Sequence, residues 1–172
     1  MHVDYTMKLA GLTHGGFYTH FESRDALVLD ALARAMDRTT SRWQKLAKQG
    51  PAPNRFNAIV DAYLAPEHRD NLARGCPLPA LGHGIVHSGA KARRTFATDL
   101  LKMVDLLAAQ ISHLPPDRAR QLATSAIATM VGSLVLARSV DGEDLSDDIL
   151  EAGRRFLRVV VSQSRRRDVS AS

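Results

Sequence analysis

Apolar residues recur along this chain with a helical period over most of its length. Phe96, Leu100, Met103, Val104, Leu107, Ile111 and Leu114 step by 4, 3, 1, 3, 4 and 3, which puts all seven on one stripe of a helix ending before Pro115 and Pro116. Ile149, Leu150, Gly153, Phe156, Leu157, Val160 and Val161 repeat the pattern in a last helix. Ser146 is its expected N-cap, with Asp147 and Asp148 in the first turn where carboxylates suit the positive end of the helix dipole. Val28, Leu32, Ala35, Met36, Trp43, Leu46 and Ala47 mark a long helix that begins after Ser23 as N-cap and stops at Gly50 and Pro51. A further helix from about Pro116 to Val140 carries Leu122, Ala126, Ile127, Met130, Val131 and Leu134 on one side. Two weaker helices fit between Pro53 and Ala65 and between Leu78 and His87, the second bent or shortened by Gly82 and Gly84. No segment alternates apolar and polar residues as a half-buried strand does. The expected fold is all-α, around seven helices joined by short turns and packed as antiparallel neighbours in a bundle.

Composition narrows the class. Gln121 to Ala137 is seventeen residues without a charge, but Gln121, Thr124, Ser125, Thr129, Gly132 and Ser133 interrupt it, so it reads as a helix buried among others and no membrane is expected. Apolar residues make up 45% of the chain and aromatics 5%, so the core should be aliphatic. Cys76 is the only cysteine, which excludes an internal disulfide framework and a multi-cysteine zinc cluster and fits a reducing compartment. The N-terminus has no apolar core behind a basic start, and the expected location is cytoplasmic. The net charge of +5 favours anionic partners without naming them. Much of the excess lies at the C-terminal end, where Arg165, Arg166 and Arg167 are expected to belong to a basic, disordered tail over 165–172.

Residues 3–23 read as a short helix, a tight turn at Gly11 and a second short helix with Thr13 as N-cap. That is the shape of a helix-turn-helix, whose second helix can enter a major groove. The run Ala10-Gly11-Leu12-Thr13-His14-Gly15-Gly16-Phe17-Tyr18-Thr19-His20-Phe21-Glu22-Ser23-Arg24-Asp25-Ala26-Leu27 closely resembles the helix-turn-helix signature of the TetR/AcrR family of transcriptional regulators. The resemblance implies a partial DNA-binding domain over 1–27, a helical ligand-binding and dimerisation domain over 28–164, and a dimer on double-stranded operator DNA. Only Met1 and His2 precede the helix near Val3, where the family carries a further first helix, so a truncated helix-turn-helix is expected. A small-molecule-binding dimer without DNA function is the alternative.

Chemistry at the matching positions is consistent with DNA contact. Thr13 can offer its hydroxyl and nearby amides to a phosphate, and Gly15 permits close backbone approach. His14 can face a base edge, Tyr18 and His20 can reach the backbone, and Arg24 keeps the charge where the family usually has lysine. Phe17 and Phe21 are assigned to a small core.

Beyond the motif, Ser125, Ala128, Thr129, Gly132 and Ser133 form a small-residue side on the helix after Pro116. With Phe156 and Val160 of the last helix they are the expected homodimer interface, a four-helix arrangement. The resemblance also implies a pocket for a small hydrophobic inducer, with Tyr63, Cys76, Phe96, Leu100, Met103 and Met130 as candidate lining. His83 and His87 stand four apart, but Gly84 occupies the place where a zincin has glutamate, so no metal is expected. No phosphate-binding loop, dinucleotide fingerprint or nucleophile with an orienting acid is present, and the expectation is a non-enzyme without a cofactor.

Overall fold

The serine expected to start the first long helix does so. Ser23 Oγ accepts a hydrogen bond from the Ala26 amide at 3.1 Å, and α1 runs Arg24–Lys48. Ser23→Ala should therefore cost about 1 kcal/mol. In a chain of this size that lowers the melting midpoint by about 2–4 °C, and an unchanged midpoint by circular dichroism would remove the cap from the account. Buried Leu32, Met36, Thr39 and Trp43 recur at helical spacing on the inner face of α1. Gly50, at φ +79°, turns the chain into α2 (Ala52–Tyr63).

The computed structural model describes residues 19–72, 75–79, 85 and 89–169, and the described residues contain helices and turns and no strand. After α2 come α3 (Pro66–Asp70), α4 (Ala90–Ala108), α5 (Pro116–Ser139) and α6 (Glu143–Val169). α1 packs on α2 and α4, α4 on α5, α5 on α6, and α6 returns to α2, so five helices close a ring around one core. Phe56, Ile59, Met103, Leu107, Met130 and Leu134 fill it, each at most 1% exposed. Removing a side chain of that size from water contributes about 1.5–3 kcal/mol.

Several boundaries differ from the sequence expectation. α4 ends at Ala108, not at Leu114. Ile111 and Leu114 keep the apolar spacing because successive tight turns follow, with Ile111 N donating to Ala108 O and Leu114 N to Ile111 O. Ser146 is not the cap of the last helix, which begins at Glu143, after Gly142 at φ +104°. Ser146 sits inside α6, 4% exposed, and donates its hydroxyl to Ala137 O at 2.7 Å. The tail expected from residue 165 is helical through Val169, with Arg165 donating to Pro53 O at 3.3 Å. α3 was not anticipated. Leu78, Pro79 and Ile85 are helical, and the rest of the expected Leu78–His87 helix lies outside the described residues.

α5 is long and apolar enough to cross a membrane by length and composition alone. Ala123, Ala126, Ile127, Met130, Leu134 and Ala137 place one face of it in the core. Only 33% of its apolar window is buried, so the expected burial among other helices holds for one face and not for the other.

Candidate functional site

Thr13, His14, Gly15 and Tyr18, the candidate recognition residues, lie outside the described residues, as does Phe17. His20 is helical and exposed, and Phe21 is half-buried. Arg24 is the first residue of α1, and its side chain is outside what is described. The described part of this end is thus the junction at which the expected DNA-binding segment passes through the Ser23 cap into the bundle.

Of the candidate pocket residues, Tyr63, Cys76, Met103 and Met130 lie in the core at 4% exposure or less, while Phe96 and Leu100 pack against it half-buried. The six therefore adjoin one hydrophobic cluster. Two clefts lined by described residues open elsewhere. One, of about 660 Å³, lies between α3, the end of α5 and the start of α6, with Arg69, Asp70, Arg138, Asp141 and Glu143 in its wall. The other, of about 610 Å³, lies between α4 and the start of α5 beside Leu101, Val104, Arg118 and Gln121.

Next to Tyr63 and Cys76 is a polar network that local sequence pattern does not reveal. His68 Nδ1 lies 2.6 Å from Tyr63 O, and its Nε2 accepts from the Cys76 amide at 2.9 Å. The Tyr63 ring meets the His68 ring edge-on at 4.7 Å and the Trp43 ring at 5.9 Å. From α5, Arg138 donates to the carbonyls of His68 and Arg69 at 2.8 and 2.9 Å. Arg69 in turn donates to Ser146 and Asp147 of α6 at 2.9 and 2.6 Å. One chain of bonds thus ties α2, α3, residue 76, α5 and α6 together.

Burial sets the protonation states here. It pushes the His68 ring below the ordinary imidazole value, opposed by the Tyr63 carbonyl bond and reinforced by the positive charges of Arg138 and Arg42. It pushes the Cys76 thiol and the Tyr63 phenol up. Tyr63 Oη is enclosed without a well-directed hydrogen bond, although the Cys76 thiol lies beside it. A cysteine held protonated and enclosed is a poor nucleophile, and in this arrangement Cys76 is a packing residue. Among the described residues no group of three or more metal-binding side chains comes together, and His83 and His87 lie outside them.

The expected pairing residues divide. Ser125, Ala128, Gly132 and Phe156 are exposed, and Thr129 and Val160 are half-buried. Phe156 is 57% exposed, beside further apolar side chains at Leu136, Leu145 and Val159 that the expectation missed. All share the 3.6-residue period and lie on the outer side of α5 and α6. Ser133 is the exception, because a Cβ built on Gly153 of α6 would sit 2.6 Å from its Oγ. Its side chain serves the α5–α6 contact within the chain.

Comparison with known proteins adds no relative: no protein-family model matches the chain, and no curated protein matches it.

Proposed function

We propose that this chain is a ligand-responsive transcriptional regulator of the TetR/AcrR type, a repressor that binds operator DNA as a dimer and is released by a small hydrophobic inducer. The observation that carries the reading is the run from Ala10 to Leu27, which resembles the family's helix-turn-helix signature almost continuously. The all-helical bundle that follows supports it, as does the exposed apolar side of α5 and α6.

In this mechanism Thr13 and Tyr18 hold phosphates, His14 reads a base edge through a major groove, and Arg24 adds charge at the head of α1. Pairing through the outer sides of α5 and α6 sets the separation of the two recognition helices. An inducer of apolar body enters the bundle beside Tyr63, Cys76, Met103 and Met130. It favours a geometry with the wrong separation, a shift between two populations. The protein works in the cytoplasm, without a cofactor and without catalysing a reaction.

Fluorescence anisotropy of the purified chain tests the claim against its own upstream DNA and a scrambled duplex, titrated in salt. The expected preference for the native fragment is on the order of a thousandfold. Equal, weak binding to both, lost with modest salt, would overturn DNA reading and leave a small-molecule-binding dimer.

A further inference from the structure

His68 is 8% exposed and has both ring nitrogens committed to backbone groups of two different segments. A backbone amide can only donate, so the nitrogen facing the Cys76 amide is the bare one, and Nδ1 carries the hydrogen that goes to Tyr63 O. A protonated ring has two donors and no acceptor. In the same geometry it would set N–H against N–H at Cys76, and the amide would lose its partner.

The surroundings do not offer the charged ring relief. Arg42 faces it from α1 and Arg138 from α5, both positive. Tyr63 on α2 and Cys76 on the adjoining segment are held in their neutral forms. Of the carboxylates nearest in sequence, Glu67 has an exposed side chain and Asp70 is bonded to Arg69 at 2.7 Å.

The segment that His68 holds is fitted closely. A Cβ on Gly75 would lie 2.9 Å from Asn71 O and 3.2 Å from both His68 Nε2 and Arg138 Nη2, so the backbone there is pressed onto the latching groups. Cys76, Pro77 and Leu78 behind it are buried. We infer that His68 is an acid-operated latch: charging its ring releases residues 75–79 from α2 and α3 and opens the chain's only thiol to solvent. This holds whether or not the protein binds DNA.

The sign follows from linkage. The neutral ring is favoured in the closed form and the charged ring in the open one. Closure is therefore complete above the ordinary imidazole value of 6.5 and is lost as pH falls from there toward the lower value of the closed form.

Cys76 is the only cysteine, so 4,4′-dithiodipyridine reports its opening without ambiguity. Labelling rates of the full chain are divided by those of glutathione at each pH, between pH 7.5 and 5.5, with far-UV circular dichroism in parallel. The normalised rate should rise as pH falls below about 6.5, by at most about tenfold per pH unit, while the helical signal holds. His68→Gln should abolish the rise. A flat wild-type profile, a rise that coincides with helix loss, or a rise that persists in the glutamine variant would overturn the latch. If that variant does not fold, nitrogen chemical shifts of the wild-type ring decide. His68 protonation and loss of Cys76 amide protection should share one midpoint, and separate midpoints would refute the coupling.

Discussion

Phe156→Arg is expected to turn the proposed dimer into monomers without disturbing the fold. The side chain is 57% exposed on α6, so in a single copy it contributes little packing, and a long polar replacement leaves the inner face of α6 in place. In the proposed pairing it would be enclosed by the partner's outer face together with Leu136, Leu145 and Val159. Losing an enclosed aromatic anchor typically costs 2 kcal/mol or more. The two-fold arrangement places the change on both sides, so the dissociation constant should rise by about a thousandfold. Sedimentation velocity at micromolar concentration reads this directly. An unchanged sedimentation coefficient with a dimeric wild type would move the interface elsewhere, and a monomeric wild type would end the pairing proposal.

Gly153→Val is expected to be the most damaging small substitution in the bundle. Gly153 is buried where α6 meets α5, and a Cβ there would lie 2.6 Å from Ser133 Oγ, 3.1 Å from Leu64 Cδ1 and 3.2 Å from Ser133 Cβ. Ser133 could turn its hydroxyl away, but its own Cβ and Leu64, fully buried, leave no room for two methyl groups. Overpacking of this kind costs about 1–3 kcal/mol, a loss that urea denaturation resolves as a lower midpoint at an unchanged slope. The double variant Gly153→Val with Ser133→Gly should recover part of that loss. No recovery would show that Leu64 or the backbone, not Ser133, limits the site.

Local pattern made the helices legible. Apolar side chains at 3.6-residue spacing fixed α1, α4, α5 and α6, and Ser23 and the Gly50-Pro51 pair marked where α1 begins and where it has ended. The pattern misled where two readings share it. Ser146 followed by Asp147 and Asp148 has the form of a cap, yet Gly142 followed by Glu143 and Asp144 supplies a start four residues earlier, and Ser146 bonds Ala137 instead. The His68 network was not legible at all. His68 reaches Cys76 eight residues away, and Arg138 reaches His68 seventy residues away, separations that carry no periodic signature. Tyr63 and Cys76 could be picked out as apolar, polarisable lining, but that their neighbours are an imidazole and a guanidinium is a product of tertiary packing.

The long first helix has a mechanical consequence. Its 25 residues span about 37 Å, and the first buried side chain among those described is Leu32, so the opening two turns extend about 12 Å beyond the inner-face anchors. Leu32, Met36 and Trp43 anchor α1 on α2 and α4, and the half-buried stretch from Ala26 to Asp30 leads from those anchors to Ser23. A tilt of about 5° about Leu32 would displace the Arg24 end by about 1 Å. A rotation of the packed part of α1 would therefore be carried toward Ser23 through unbroken helix.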